Sequence, residues 1–124
     1  MRISWSLFLA FAALLHVGCT ASARQAANAL TNGDAERGAS AITYYGCGAC
    51  HTIRGISGAD ALVGPDLSRI GSRVYIAGSL DNQPLNMIRW IQDPHAINER
   101  TAMPTLGVTE RDARDIAAYL YSLK

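Results

Sequence analysis

The stretch Cys47-Gly48-Ala49-Cys50-His51 decides how the rest of this 124-residue chain is interpreted. Two thiols separated by two residues and followed at once by an imidazole match the C-x-x-C-H pattern of covalent haem attachment. Each thiol can add to one vinyl group of the porphyrin, which places the next residue under the iron as its proximal ligand. The two intervening residues are small, so the backbone can lie against the porphyrin edge. The pentapeptide therefore predicts one covalent haem c, bound through Cys47 and Cys50 with His51 on the iron.

Three other interpretations of the two cysteines are open from the pentapeptide alone. A thioredoxin-like redox pair needs a surrounding βαβ pattern, and none is visible in the sequence. A zinc site needs a second pair of ligands, and no further C-x-x-C or H-x-H pair follows. A structural disulfide in an exported protein also fits the spacing. The choice between these and haem depends on the rest of the chain.

Residues 1–23 are typical of an export signal. Arg2 supplies a positive start, residues 3–17 are mostly apolar, and small residues follow up to Ala23. The apolar run is shorter than the roughly 20 residues that a membrane span requires, which disfavours an uncleaved anchor. Ala21-Ser22-Ala23 fits the small-x-small site at which signals are cut. The expected location of the mature protein is therefore outside the cytoplasm, in the periplasm.

A second processing site is open at Cys19. Val17-Gly18-Cys19 resembles the lipobox of bacterial lipoproteins, in which the cysteine is acylated and becomes the new N-terminus. His16 stands where that motif usually has leucine, so cleavage after Ala23 is favoured. Acylation of Cys19 would instead tether the protein to the membrane, facing the periplasm.

The charge of the mature chain excludes one class of partner. Without residues 1–23, ten basic and ten acidic residues remain, so the formal net charge is zero. Nucleic-acid binders carry a basic patch or stripe, which this balance disfavours. A chain of about 100 residues also builds only a small core and gains much from a cofactor to fold around.

The spacing of apolar residues predicts an all-α domain over residues 33–124. Residues 24–32 have few large apolar groups and are expected to form a linker. A first helix is expected to start near Asp34, its candidate N-cap, with Gly38, Ile42 and Tyr45 on one buried stripe. Residues 52–82 are rich in glycine and are expected to be irregular, which is tolerable in a segment that wraps a cofactor.

Two further helices follow. One is expected over residues 83–92, with Asn82 as candidate cap and a buried face of Leu85, Ile88 and Ile91, and Pro94 is expected to end it before an extended segment over residues 95–108. The last helix has Thr109 as cap, with Asp112 in capping-box position. Its apolar stripe has helical spacing and comprises Ala113, Ile116, Ala117, Leu120 and Leu123.

The second axial ligand of the iron decides what a haem can do here. Met103 precedes Pro104, which restricts its backbone to an extended shape and helps to hold the thioether toward a partner. Met87 lies within a predicted helix, where methionine is more often core filler. His95 follows Pro94 and is expected to be an exposed loop residue. Met103 is the favoured ligand, and a thioether raises the reduction potential relative to a second imidazole.

These pieces together resemble class I cytochrome c of the bacterial, oxidase-linked kind, over residues 33–124. They occur in that family's order: Gly33-Asp34, Cys47 to His51, Gly64-Pro65-Asp66-Leu67, Arg73, Trp90 to Pro94, Ala102-Met103-Pro104 and Asp115 to Leu120. The resemblance implies three to five helices wrapped around one covalent haem, with the first and last helices crossing. Gly38 would allow that close approach near Tyr119.

The resemblance also implies the roles of individual residues. The Pro65 carbonyl is expected to accept the Nδ1 proton of His51, which fixes the imidazole tautomer and makes it a stronger ligand. Leu67 is expected to pack on the proximal face of the haem. Contacts at or near a haem propionate are implied for Arg73, Tyr75 and Trp90.

The function that the resemblance implies is single-electron transfer rather than catalysis. The expected donors are a quinol-oxidising complex or a dehydrogenase, and the expected acceptor is a terminal oxidase. A fixed electron-transfer subunit of a larger membrane complex is a variant of this hypothesis, with the protein a monomer or a complex subunit. The alternative is a haem gas sensor or peroxidase-like enzyme, which requires an open iron. Lys124 is the only lysine, so docking through the lysine ring of mitochondrial members is in doubt.

The two processing sites predict different mature N-termini. We expect mass spectrometry of the protein expressed with its own first 23 residues to find Arg24 as the first residue. A diacylglyceryl group on Cys19 at the N-terminus would contradict cleavage after Ala23 and support the membrane tether.

Overall fold

The computed structural model describes residues 20–124, so most of the predicted export signal, residues 1–19, lies outside the described residues. Within them, helix α1 covers residues 20–31, and the other helices are α2 (Ala35–Tyr44), α3 (Pro84–Gln92), α4 (Pro94–Ile97) and α5 (Glu110–Tyr121). Short 3₁₀ helices span Cys47–Ala49 and Ile70–Ser72. Strands β1 (Tyr75–Ile76) and β2 (Leu80–Asp81) form an antiparallel pair. The all-α class is therefore confirmed, and no helix of this part of the chain is long and apolar enough to cross a membrane.

Helix α1 occupies most of the segment in which we expected a linker over residues 24–32. Ala27 and Thr31 are buried on its inner side, and the Thr31 hydroxyl donates to the Ala27 carbonyl. The chain just after α1 also packs closely on α5, since a Cβ on Gly33 would collide with the Arg114 carbonyl. Alanine is also the strongest helix former. The signal peptide and the domain boundary at residue 33 stay predictions.

Helix α2 begins where its cap residue predicts. The Asp34 carboxylate accepts the backbone N–H groups of Glu36 and Arg37 at 3.0 and 2.9 Å. The Arg37 N–H lowers the pKa of Asp34, because it hydrogen-bonds the ionised form. The expected stripe is present, with Gly38 and Ile42 buried and Tyr45 half-buried.

Helices α2 and α5 cross at Gly38. A Cβ on Gly38 would collide with the Asp115 carbonyl, so only glycine allows this approach. The buried Asp115 carboxylate joins the two helices, because it accepts the Asp34 N–H at 2.7 Å and two N–H groups of Arg37 at 2.8 Å each. The crossing lies one turn before Tyr119, the expected neighbour, whose hydroxyl donates to the Arg54 carbonyl at 2.8 Å.

Helix α3 differs from expectation at its start and on its face. The Asn82 side chain does not cap it, and Gln83 is the N-cap residue, without a side-chain hydrogen bond. Met87 joins Ile88 and Ile91 in the core, whereas Leu85 is 66% exposed. The spacing of apolar residues in α3 allows two neighbouring buried faces, one that includes Leu85 and one that includes Met87. Packing against α5 selects the face with Met87.

Only the start of the segment that we expected to be extended is helical: residues 95–97 belong to α4, whereas residues 98–108 contain no helix or strand. Helix α4 starts with Pro94, whose fixed φ suits the first helical position. The Asp93 side chain caps it by accepting the Ala96 N–H at 3.2 Å. Helix α5 has the predicted cap, since the Thr109 hydroxyl accepts the Asp112 N–H at 3.1 Å, and all five residues of its predicted stripe are buried.

We expect Gly38→Ala to lower the free energy of unfolding by roughly 1–3 kcal/mol, because the added methyl group overpacks the crossing of α2 and α5. Denaturant unfolding followed by far-UV circular dichroism measures this loss. Ser40→Ala, on the exposed face of the same helix, is the control and should stay within about 0.5 kcal/mol of the parent. Equal stability of the two variants would mean that Gly38 is not a close contact.

Candidate functional site

A cavity of about 620 Å³ opens between the loop before the 3₁₀ helix Ile70–Ser72, helix α3 and the segment around Met103. This volume lies within the roughly 300–1,000 Å³ of small-molecule and cofactor sites. On one side it is lined by the predicted residues Cys50, His51, Pro65 and Leu67, and elsewhere by Arg73, Tyr75, Trp90 and Met103. Of the predicted site residues, only Cys47 is not part of its wall; it is half-buried and packs against the core.

His51 is held by the hydrogen bond that the resemblance implied. Its Nδ1 lies 2.7 Å from the Pro65 carbonyl oxygen. A carbonyl only accepts, so Nδ1 carries the proton and donates it. The Nε2 lone pair is then free of that proton, which is the form in which an imidazole ligates a metal.

Two backbone hydrogen bonds tie the loop that contains Pro65 to the segment that contains His51. The Gly64 N–H donates to the Cys50 carbonyl at 2.6 Å, and the Leu67 N–H donates to the Thr52 carbonyl at 2.9 Å. The carbonyl partner of His51 is therefore fixed by the same segment that carries the imidazole.

Gly64 is a residue of the site that the sequence did not single out for its lack of a side chain. A Cβ there would lie 2.5 Å from Cε1 and 2.7 Å from Nδ1 of His51. Both distances are too short for real contacts, so glycine is required for the loop to pass the imidazole. The sequence gives two signals at this position: Gly64 is one of the glycines of a predicted loop, and it begins the Gly64-Pro65-Asp66-Leu67 motif of the resemblance.

No disulfide joins Cys47 to Cys50, so both sulfur atoms are available for thioether bonds to a haem. Burial raises the pKa of the Cys47 thiol, since it disfavours the thiolate. A Cβ on Gly48 would lie 2.9 Å from Cβ of Ala59, so packing on Ala59 also requires a small residue in this turn.

Two methionines line the cavity. Met103 is half-buried in a loop, where its N–H donates to the Thr101 hydroxyl at 3.2 Å. Met87 also lines the cavity and is 3% exposed. His95 does not line it; this exposed imidazole has its Nδ1 3.3 Å from the Thr105 hydroxyl oxygen.

Arg73 and Asn82 shape another part of the wall. A guanidinium N–H of Arg73 donates to the Asp66 carbonyl at 2.8 Å. The Asn82 amide nitrogen donates to the carbonyls of Ile70 and Arg73, each at 2.8 Å. Asn82 was interpreted as a helix cap, and nothing in its local sequence indicated this contact.

The residues present fit a haem better than a bare ion. Among residues 20–124 no group of three or more His, Cys, Asp or Glu side chains is placed to hold a metal, as the zinc interpretation would need. A haem iron takes four nitrogens from its porphyrin and needs only axial ligands from protein. The cavity wall is mostly apolar and carries the His51 imidazole, whose tautomer is fixed, together with the side chains of Met87 and Met103. These groups can supply the axial ligands, and the Arg73 guanidinium on the same wall can pair with a haem propionate.

Comparison with known proteins agrees with this fit. The Cytochrome c family model matches residues 35–124. The chain is 34% identical over 91 residues to cytochrome c oxidase subunit 2 of Alkalihalophilus pseudofirmus, which covers 73% of this chain and 26% of that protein. It is 32% identical over 88 residues to the protein of the same name from Bacillus sp. PS3, which covers 68% and 25%.

The chain thus spans about a quarter of the length of these curated relatives. No solved structure matches it. The family model covers most of the chain and includes every residue on the cavity wall. The chain therefore belongs to the cytochrome c family, an electron-transfer family, and its cofactor is covalently bound haem c.

Proposed function

We propose that this protein is an exported monohaem cytochrome that carries single electrons between a respiratory or dehydrogenase donor and an oxidase. One observation carries the proposal: His51, with its Nδ1 proton held by Pro65, and Met103 line the same cavity. An imidazole and a thioether are the axial pair of electron-carrying cytochromes c.

The chain would hold its cofactor at four points. Cys47 and Cys50 would form the two thioether bonds, while His51 and Met103 would provide the axial ligands. When bound, the haem iron supplies a couple between the ferrous and ferric states. With both axial positions taken by side chains, no coordination site is left for a substrate, which supports a carrier rather than an enzyme.

The surroundings of His51 suit a carrier because they resist rearrangement. The imidazole is fixed by the Pro65 carbonyl, and the Pro65 loop is fixed in turn through Gly64 and Leu67. A ligand that is held in both oxidation states changes little when one electron is gained or lost. Arg73 on the same cavity would offset the charge of a haem propionate.

The open-iron alternative has less support. A sensor or peroxidase-like enzyme needs a vacant axial position and an acid–base group near it. His95, the other imidazole of the mature chain, does not line the cavity, and its Nδ1 is engaged by Thr105. Met103 lines the cavity and would itself supply the second axial ligand.

The partner and the location are part of the proposal. The two relatives are named as subunits of cytochrome c oxidase, which favours an oxidase as acceptor and supports the variant in which the chain is a fixed subunit of a membrane complex. The export signal favours a periplasmic position, free or tethered through Cys19. A mature formal charge of zero disfavours docking by strong opposite charge.

We expect Met103→Ala to abolish the weak sulfur-to-iron charge-transfer band of the ferric haem-loaded protein. We also expect it to lower the reduction potential, because a thioether favours the ferrous state. Absorption spectra and redox titration measure both effects. Met87→Leu is the matched control and should keep the band. Survival of the band in Met103→Ala together with its loss in Met87→Leu would assign the ligand to Met87.

We expect Gly64→Ala to destabilise the haem-loaded protein by roughly 1–3 kcal/mol, since its methyl group overlaps the His51 imidazole. Denaturant unfolding followed by haem absorption measures the loss. Leu62→Ala, at a nearby exposed position that does not line the cavity, should change stability by no more than about 0.5 kcal/mol. If Gly64→Ala were as stable as Leu62→Ala, the loop would not be packed on His51.

A further inference from the structure

The Asn82 side chain uses its whole amide group to join three parts of the chain. Its nitrogen donates to the carbonyls of Ile70 and Arg73, and its oxygen accepts the hydroxyl of Tyr121, all at 2.8 Å. These partners lie in the 3₁₀ turn, just after it, and at the end of α5. The Asn82 backbone N–H adds a fourth bond, to the Val74 carbonyl at 2.9 Å.

The segment that Asn82 holds forms part of the cavity wall. Ile70 and Arg73 both line the cavity. The same segment is fixed against the end of the last helix by the Gly71 N–H, which donates to the Leu123 carbonyl at 3.0 Å. Burial raises the pKa of Tyr121 to about 12, so its hydroxyl stays a donor to Asn82 at any physiological pH.

Arg73 is therefore held at both ends. Asn82 fixes its backbone carbonyl, and the Asp66 carbonyl accepts one N–H of its guanidinium. A guanidinium has five N–H donors in a rigid fork, so this bond leaves donors for an anion. A side chain on the wall of a haem cavity with such donors suits a propionate.

We infer that Asn82 is a positioning residue for haem: through Arg73 it places a positive charge beside the propionates and so raises the reduction potential. The inference rests on the proposed function. Its physical basis is that a nearby cation stabilises the ferrous state, which carries one positive charge less than the ferric state. If Asn82 no longer holds the Arg73 carbonyl, the guanidinium samples more positions and more solvent, and this stabilisation weakens.

Redox titration of the haem-loaded full chain against a mediator tests the inference. We expect Asn82→Ala to reduce the equilibrium constant for haem reduction by about threefold to tenfold, where tenfold is about 59 mV for one electron. Arg73→Gln should reduce it at least as much. Asn82→Ala added to Arg73→Gln should cause almost no further change, because the effect acts through the guanidinium. Asn86→Ala removes an asparagine of α3 that bonds the Asp81 carbonyl and is the control, expected to leave the potential unchanged.

The outcomes separate this inference from the proposed function. A normal covalent haem spectrum with an unchanged potential in Asn82→Ala would overturn the inference and leave the electron-carrier proposal standing. An equal fall in both backgrounds would also overturn it, since Asn82 would then act independently of Arg73. Absence of covalent haem in the parent protein would contradict the proposed function itself.

A milder variant decides the matter if Asn82→Ala fails to fold. Tyr121→Phe removes only the hydroxyl that donates to Asn82. We expect a smaller fall in potential, which disappears in the Arg73→Gln background. No fall in Tyr121→Phe would count against the inference.

Discussion

The contact on which this fold depends is the crossing of α2 over α5 at Gly38. The two backbones meet there because position 38 has no side chain, and the buried Asp115 carboxylate accepts N–H groups of Asp34 and Arg37, which precede Gly38 in the chain. A buried carboxylate with charged and backbone donors is well satisfied, whereas a lone one would be costly. The crossing positions the parts of the site that both helices carry. Helix α2 leads into the turn that contains the two cysteines, and α5 places Leu120 on the cavity wall.

The two sides of the cavity are built in different ways. On the His51 side, the Pro65 loop folds back on the segment from Cys50 to Thr52, and three hydrogen bonds of 2.6–2.9 Å join the two. On the Met103 side, the wall combines α3 with a loop whose hydrogen bonds are longer and partly exposed: the Met103 N–H donates to the Thr101 hydroxyl at 3.2 Å, and the Thr105 hydroxyl donates to the Asp93 carboxylate at 3.4 Å. The imidazole is thus the better-fixed of the two proposed ligands, and the wall near Arg73 depends on Asn82 and the end of α5.

Much of the fold followed from local signals. Asp34 and Thr109 cap their helices as predicted, and α3 ends before Pro94, because caps and prolines act on backbone groups within a few residues. The expectations that differed concern packing. Residues 24–31 are helical because α1 finds a surface to pack on, and Leu85 is exposed because α5 lies on a different stripe of α3. Asparagine is a common helix-cap residue, yet the Asn82 amide nitrogen donates hydrogen bonds to carbonyls 9 and 12 residues away.

The sequence by itself determined the chemistry of the cofactor. Attachment through C-x-x-C-H depends only on the spacing of neighbouring residues, which can be read from the sequence. The order of the other motifs then identified the fold around the haem. Only the tertiary structure decided how that chemistry is controlled. The tautomer of His51 depends on a carbonyl 14 residues away, the passage of the loop depends on a missing Cβ at Gly64, and the wall that holds Arg73 depends on Asn82 and Tyr121. Each of these is a distance between atoms remote in sequence, and such distances are set by packing rather than by local residue preference.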